Sequence, residues 1–521
     1  MKKRQILSAV MGGVFMLSGI SGILPLCTCS DAASSADMDI QDFPLSDVAM
    51  LDSYSTNAFS KELEYLLSFD TNRLLAGFRE NAGMNTFGAK RYGGWENTNI
   101  AGHTVGHYLS AVAQAYQNPS ITEKQRSELY GKITAIIDGM RECQKNSKGK
   151  TGFVWAAAHP NGTGVEVQFD NVEAGKSNII SEAWVPWYTM HKLIAGIVDV
   201  YNATGYSTAK DLGSDLGDWV YNRCKTWNDS KHNTVLSIEY GGMNDCLYNL
   251  YLITNKDNHA AAAHYFDETA LFEKVLQGGA NVLNNRHANT TIPKFIGALN
   301  RYKALDGKTV NGETVDASRY LEYAEAFWDM VTTHHTYITG GNSEWEHFGQ
   351  DDILDKERTN CNCETCNSYN MLKLSRELYK ITGDSKYMDF YENAYYNSIL
   401  SSQNPETGMT TYFQPMATGY FKVYSSQFDH FWCCTGSGME NFTKLGDTIY
   451  MHKDNTLYVN MYQSGISSLG STYSFTFVSG TSLPFALSFS AFFSKLSFFF
   501  FACFCIFSFL FSSRFNSFSV I

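Results

Sequence analysis

A chain of 521 residues with a formal net charge of −12 exceeds one ordinary domain and can bury a large core. The acidic balance and the lack of a basic stripe in the sequence argue against a nucleic-acid partner. Aromatic residues make up 14% of the sequence, which suits sugar-stacking surfaces and equally suits an ordinary large core.

The beginning of the chain has the pattern of an export signal, which we place at residues 1–33. Basic residues at positions 2–4 precede an apolar stretch at 6–26, and small residues follow it. Cys27 and Cys29 leave a lipid-attached form open, although their neighbours fit a lipid-attachment box poorly, and a membrane anchor is a further alternative. The sequence therefore predicts a secreted or cell-surface protein.

From about residue 45 to residue 400, apolar residues recur at helical spacing. Two helices end in the same way, and Gly205 and Gly383 are each predicted to take the left-handed position after the last turn. Repeated helical hairpins bury their apolar faces on each other, so the predicted fold is mostly α. Periodicity alone does not show a closed barrel. The clearest predicted helices are 131–140, 187–201, 209–227, 243–253, 271–283, 320–331 and 369–379.

Loops between the predicted helices carry polar and aromatic clusters, which at one end of a helical array would build a concave pocket. His103 and His107 stand four residues apart and could bind a metal ion. A hydrogen-bonding role toward a ligand or the backbone is favoured, because no third ligand stands at the expected spacing. Similar clusters lie at residues 187–192, 241–245, 287–290 and 339–349.

Two cysteine-rich segments, 361–367 and 431–441, carry the strongest chemical signal. Adjacent cysteines rarely bond to each other, because the short ring would be strained, and such clustering suits a metal site better than a disulfide framework. Together the segments offer up to five cysteine sulfurs and the carboxylate of Glu364, enough for four-coordinate zinc with spares. We predict that one of the thiolates does chemistry, and that the zinc ligands are Glu364, Cys366, Cys433 and Cys434. The alternative is a closed zinc site that has only a structural role and links the two segments.

The sequence changes character after Glu440. Residues 456–462 are typical of a β-strand, and we place the start of a β-rich domain at 456–464. The tail at 465–521 is rich in Phe and Ser and contains no Asp or Glu. Part of it is long enough to span a bilayer, but its monotony favours a frameshifted end. We assign the tail no function.

Several motifs of the chain resemble the zinc-dependent β-L-arabinofuranosidases, which are glycoside hydrolases of the family 127 and 146 type with a cysteine nucleophile. The motifs are Thr-Gly-Gly-Asn-Ser at 339–343, Glu-His-Phe at 346–348, the segment 364–374 and Trp-Cys-Cys-Thr-Gly-Ser-Gly-Met-Glu-Asn at 432–441. The resemblance covers roughly residues 45–463. It implies an (α/α)6 barrel, placed at 45–455, followed by the start of a truncated β-sandwich domain.

The resemblance also implies roles for single residues. Cys433 matches the nucleophile, and Glu346 matches the general acid/base, with Glu344 as a competitor two residues earlier. The family's zinc ligands fall on the same four residues that the cysteine spacing indicates. Asn244 lies near a position where some members carry a histidine. The expected sugar-contacting residues are His191, His287 and Tyr412, followed by His103, His107 and Asn244.

Together these observations predict an exported, retaining glycoside hydrolase that uses Zn2+ and removes terminal L-arabinofuranose from plant-type glycans. The expected partner is a carbohydrate, with no nucleic acid, and with a membrane only through the signal, an anchor or the tail. One alternative is the same fold acting on another sugar or linkage. The other is a non-catalytic glycan-binding protein with a structural zinc site.

Overall fold

A computed structural model describes residues 40–157, 164–310 and 312–467, and the backbone of two further strands at 475–479 and 487–489. The predicted signal peptide and most of the predicted tail lie outside the described residues. Among the helices that are described, none combines the length and the apolar character needed to cross a membrane.

The described part of the chain is dominated by sixteen α-helices. They are α1 Ser53–Ser68, α2 Thr71–Asn81, α3 His103–Gln117, α4 Glu123–Asn146, α5 Val167–Glu173, α6 Pro186–Thr204, α7 Ser207–Cys224, α8 Asp229–Leu236, α9 Met243–Thr254, α10 Asp257–His264, α11 Thr269–Gln277, α12 Ala288–Leu305, α13 Ser318–His334, α14 Thr365–Thr382, α15 Lys386–Ala394 and α16 Cys433–Thr443.

Six of these helices form a closed inner ring. Helix α3 packs on α6, followed in order by α9, α12, α14 and α16, and α16 returns to α3. An outer helix covers each of them: α4 lies on α3, α7 on α6, α10 on α9, α13 on α12, α15 on α14 and α1 on α16. This arrangement is an (α/α)6 barrel, and it confirms the mostly helical fold.

The helix ends follow the local sequence signals. Gly205 and Gly383 adopt φ values of 68° and 69°, and each donates its N–H to the carbonyl of a tyrosine four residues earlier, as predicted. The predicted helix 271–283 is too long, because α11 ends at Gln277. Gly278 and Gly279, both with positive φ, break it there.

Glycines let three inner helices approach closely at the level of the predicted site. A Cβ atom on Gly106 of α3 would overlap the backbone of Lys192 in α6, and one on Gly196 would overlap the carbonyl of Gly106. On α16, a Cβ atom at Gly436 would overlap the ring of His107. These contacts bring the cysteine-bearing helix against the helices that carry the predicted histidines.

Short strands flank the barrel: β1 Gln41–Asp42, β2 Val48–Met50, β3 Thr309–Val310, β4 Glu313–Thr314, β5 Tyr450–Lys453, β6 Thr456–Val459, β7 Gly465–Ser467, β8 Phe475–Ser479 and β9 Leu487–Phe489. The largest sheet has the order β1-β5-β6-β8-β9, in which β5 and β6 form an antiparallel hairpin and β8 runs parallel to β6. The predicted strand at 456–462 is therefore present, but it ends at Val459. The first strand after the barrel helices begins at Tyr450, before the predicted boundary at 455.

The predicted site residues gather where the inner helices begin. Free N–H groups and the positive end of the helix dipole lie at a helix N-terminus, and both favour negative charge there. The barrel thus brings the N-termini of several inner helices together at the predicted site. The residues at these ends are His103 on α3, His191 on α6, Asn244 on α9, His287 before α12, Glu364 and Cys366 at the start of α14, and Cys433 and Cys434 on α16.

Candidate active site

Four buried side chains converge between the starts of α14 and α16. One ligand atom from each of Glu364, Cys366, Cys433 and Cys434 lies within 4.8 Å of all the others. The sulfur of Cys434 lies 3.9 Å from that of Cys433 and 3.3 Å from that of Cys366. Glu364 Oε1 lies 3.6 Å and 3.7 Å from the sulfurs of Cys433 and Cys434. A tetrahedral site with Zn–S bonds of about 2.3 Å places its sulfurs roughly 3.8 Å apart. The cluster therefore has the dimensions of a four-coordinate metal site.

The buried acidic groups of this cluster favour the binding of a cation. Burial, followed by the charge of Cys433, raises the pKa of Glu364 well above its usual range. Burial also raises the pKa of Cys366, but hydrogen bonds from Cys433 and Cys434 outweigh it and bring that pKa to about 7. Several acidic groups thus lie together in one buried cluster, and their negative charges repel each other. A bound metal ion would relieve this repulsion.

An unpaired atom supports the same conclusion. Glu364 Oε2 is buried, and no hydrogen-bond partner for it lies among the described residues. A buried carboxylate oxygen without a partner is costly unless a cation meets it. Of the cysteines nearby, Cys361 and Cys363 stay outside the cluster, as expected for neighbours or spare thiols. The four residues present fit a metal ion.

Beside the cluster, a tyrosine links the predicted acid to the predicted nucleophile. The hydroxyl of Tyr412 donates a hydrogen bond to Glu346 and lies 3.5 Å from the sulfur of Cys433. One hydroxyl group therefore separates the carboxyl from the sulfur. This is the scale of the carboxyl separation of about 5 Å in retaining glycosidases.

A histidine shares a proton with the carboxyl group of Glu346. His287 Nε2 lies 3.5 Å from Glu346 Oε2. Burial lowers the pKa of His287, but the charges of Glu239 and Glu346 raise it to about 9. Burial raises the pKa of Glu346, while hydrogen bonds from His287 and Tyr412 leave it below its usual range. The pair thus holds one proton near neutral pH, beside the Cys433 sulfur.

The competing carboxylate points elsewhere. Glu344 Oε1 accepts a hydrogen bond from the hydroxyl of Thr359 at 3.1 Å. Glu346 instead has a left-handed backbone, with φ of 67°, which is unusual for a residue other than glycine. The backbone therefore turns Glu346, and not Glu344, toward Tyr412 and His287.

The two predicted histidines of α3 each contact buried protein groups. His103 Nε2 lies 2.9 Å from the carbonyl oxygen of Phe431, and Glu96 lies 3.1 Å from its Nδ1. His107 Nδ1 lies 2.5 Å from Glu440, whereas its buried Nε2 has no partner among the described residues. Neither histidine belongs to the metal cluster, and their contact with a sugar stays a prediction.

Two other predicted sugar contacts are also buried. His191 Nδ1 accepts the N–H of Gly242 at 3.0 Å, and burial lowers the pKa of His191 well below its usual range, so its ring is neutral. The side-chain amide of Asn244 donates to Asp267 and to the carbonyl of Lys294, both at 3.0 Å. Asn244 thus joins α9 to α12, and its role toward a sugar also stays a prediction.

Sequence reasoning missed Tyr188, which the structure places beside the cysteines. Its ring belongs to the same cluster of buried residues as Cys366, Cys433 and Cys434. Its hydroxyl is buried and has no partner among the described residues. The aromatic cluster at 187–192 was the only signal, and the spacing did not distinguish Tyr188 from a core residue. Trp95, Trp184 and Tyr412 pack around the same cluster and complete an aromatic wall.

The fold and the site together define a class of protein. A barrel of paired helices holds a carboxyl group and a thiol one hydroxyl apart, beside an aromatic wall and a cluster that could hold a metal ion. Such an arrangement suits the hydrolysis of a glycosidic bond. Residues 47–447 match the family described as Beta-L-arabinofuranosidase, GH127 catalytic domain. The chain belongs to this family, and it is a glycoside hydrolase whose substrate is a carbohydrate.

Solved structures support the fold. A GH127 β-arabinofuranosidase aligns with a TM-score of 0.62 and 18% identity, over 83% of this chain and 66% of that one. Ara127N, a GH127 β-L-arabinofuranosidase from Geobacillus stearothermophilus T6, aligns with a TM-score of 0.58 and 17% identity, over 80% of this chain and 68% of that one. The chain thus spans about two thirds of the length of these proteins. No curated protein sequence matches it.

Proposed function

We propose that the chain is an exported, retaining hydrolase that removes terminal L-arabinofuranose from plant-type glycans, with Cys433 as the nucleophile and zinc as the cofactor. The observation that carries this proposal is the position of Tyr412, whose hydroxyl lies between the carboxyl of Glu346 and the sulfur of Cys433. The choice of L-arabinofuranose rests on the family, and export rests on the signal pattern at residues 1–33.

The first half of the reaction transfers the sugar to sulfur. A free thiol is mostly protonated at neutral pH, and zinc bound by Glu364, Cys366, Cys433 and Cys434 would keep the sulfur deprotonated. The Cys433 thiolate attacks the anomeric carbon, a C–S bond forms, and the glycosidic C–O bond breaks. Glu346 gives its proton to the departing oxygen, and His287 supplies the proton that the pair holds at rest.

The second half releases the sugar. Glu346, now a carboxylate, takes a proton from a water molecule, and the oxygen of that water attacks the anomeric carbon while the C–S bond breaks. Each half inverts the anomeric carbon, so the product keeps the configuration of the substrate. Tyr412 contacts both the carboxyl group and the sulfur, and it holds them on either side of the bond that breaks.

The function is tested with the full chain on a chromogenic β-L-arabinofuranoside. We expect Glu346→Gln to lose activity by about 10^2-fold to 10^4-fold, because the proton donor is gone. Glu344→Gln is the matched control, since Glu344 lies in the same loop and binds Thr359. Both variants should keep the metal content of the wild type. Full activity in Glu346→Gln, or wild-type activity on other glycosides alone, would contradict the proposal.

A further inference from the structure

An exposed tryptophan precedes the carboxyl group of the site. Trp345 is 60% exposed, whereas the other tryptophans among the described residues are buried or half-buried. Its backbone has a left-handed φ of 46°, and its N–H is tied to the carbonyl of Cys361 at 2.9 Å. The backbone at Trp345 is therefore strained, and this strain holds an aromatic ring in solvent. Folding of the barrel does not require an exposed ring at this position.

The ring of Trp345 continues an aromatic row that starts at the nucleophile. Its centroid lies 6.0 Å from that of Phe413, and Phe413 lies 4.6 Å from Tyr412. Tyr412 contacts both Glu346 and Cys433. A row of neighbouring aromatic rings thus runs from the sulfur of Cys433 to the exposed ring of Trp345.

Exposure rises along this row in the order that a bound substrate would follow. Cys433 is 5% exposed, Tyr412 and Phe413 are half-buried, and Trp345 is 60% exposed. A sugar attacked by Cys433 occupies the deep end, and the oxygen protonated by Glu346 lies at the middle. The group attached to that oxygen must then extend outward past Trp345. Flat aromatic faces bind the apolar C–H face of a sugar ring through dispersion and burial.

We propose that Trp345 and Phe413 form a platform for the sugar ring of the leaving group, so that the enzyme prefers a glycan to a small alcohol as the partner of the cleaved sugar. This inference rests on the proposed function. The half-buried rings of Trp95 and Trp184 pack against the cysteine cluster, where the cleaved sugar would lie. This leaves the exposed Trp345 and the half-buried Phe413 for the other side of the bond.

The test compares two substrates with the same cleaved sugar. One is a β-L-arabinofuranosyl disaccharide, and the other is methyl β-L-arabinofuranoside, which has no leaving-group ring. We expect Trp345→Ala to lower kcat/KM for the disaccharide by about tenfold and to leave the methyl glycoside within about twofold. Trp345→Phe should recover most of the loss. Phe87→Ala is the control, because Phe87 is also exposed, at 73%, and has a left-handed φ of 55°.

The outcomes separate this inference from the function beneath it. Equal losses on both substrates would mean that Trp345 only positions Glu346. No loss on either substrate would mean that the ring binds nothing. Either result would overturn the proposed platform and leave the proposed hydrolase function intact. Wild-type protein that cleaves neither substrate would overturn the hydrolase, and the platform with it. Metal content and melting temperature, measured on each variant, identify a folding defect, and Trp345→Phe then decides the question.

Discussion

The imidazole Nε2 of His103 lies 2.9 Å from the carbonyl oxygen of Phe431, two residues before the proposed nucleophile. The other ring nitrogen lies 3.0 Å from the carbonyl oxygen of Ile100, so both nitrogens donate and the ring is positively charged. Burial lowers the pKa of His103, but Glu96 raises it above its usual value. Phe431 has a left-handed φ of 52°, and the charged ring fixes this turn into α16.

Replacing His103 by Gln should therefore destabilise the barrel and disorder the start of α16. The change removes the charged partner of the buried Glu96 carboxylate, which keeps only the N–H groups of Gly102 and Thr104, at a cost of roughly 3 kcal/mol in the free energy of unfolding. Urea unfolding measures this cost. His334→Gln breaks a pair with Asp352 at the surface and should cost less than about 1 kcal/mol. Equal losses in the two variants would show that the buried pair has no special role.

Removing the hydroxyl of Tyr412 should change the pH profile of activity. Its hydrogen bond lowers the pKa of Glu346, so Tyr412→Phe should raise that pKa. Because the first half of the reaction needs a proton on the acid, the alkaline limb of the kcat/KM profile should move to higher pH, while the rate falls by about tenfold or more. Tyr420→Phe, at an exposed position, is the control. An unshifted limb would count against Glu346 as the acid.

Tyr188→Phe separates a binding role from a structural one. The hydroxyl of Tyr188 is buried without a partner among the described residues, so its loss should leave stability unchanged or raise it by about 1 kcal/mol. We expect KM for the arabinoside to rise about tenfold, because the hydroxyl faces the cysteine cluster where the sugar would bind. Thermal unfolding and kinetics on one preparation check both points. Unchanged kinetics would reduce Tyr188 to a core residue.

The buried carboxyl of Glu62 on α1 should make stability depend on pH. Burial raises its pKa from 4.5 to about 8, with a hydrogen bond to Gln403 opposing the shift. The folded chain therefore holds a proton that the unfolded chain has lost. Between about pH 4.5 and pH 8 the free energy of unfolding should fall by about 1.4 kcal/mol per pH unit from this group.

The variant Glu62→Gln lacks this proton and should lose that slope. Its stability relative to the wild type should increase by a few kcal/mol between about pH 5 and about pH 8. Glu64→Gln, which changes an exposed partner of Lys61 on the same helix, should show the slope of the wild type. Denaturant unfolding at several pH values tests the difference, and parallel curves for wild type and Glu62→Gln would refute it.

Local signals in the sequence predicted the helical class, several of the helices and some of their ends, but not the closure of the helices into a ring. Gly205 and Gly383 mark helix ends because only glycine takes a positive φ there cheaply. Closure depends on contacts between residues far apart, such as Gly436 of α16 against His107 of α3, and no periodicity encodes them. The same limit applies to the position of Glu346, which depends on three-dimensional contacts with Tyr412 and His287.

The candidate metal cluster was predictable because its residue types are rare and closely spaced. Cysteines beside a glutamate leave few other interpretations, and the structure brings those four residues together. Supporting residues gave no such signal. Glu96 and Glu440 look like any acidic residue in the sequence, and only burial against His103 and His107 shows what they do. Tyr188 is missed for the same reason, because in the sequence it looks like any aromatic core residue.

The most direct test of the account is the mass of the protein after a brief reaction. Glu346→Gln, incubated with a β-L-arabinofuranoside that has an activated leaving group and quenched in acid, should accumulate one anhydropentose on the peptide that contains Cys433, since the water step lacks its base. Fragmentation should place the sugar on Cys433, not on Cys434. Release of free arabinose with no adduct, or an adduct on any other residue, would contradict the proposal that Cys433 is the nucleophile.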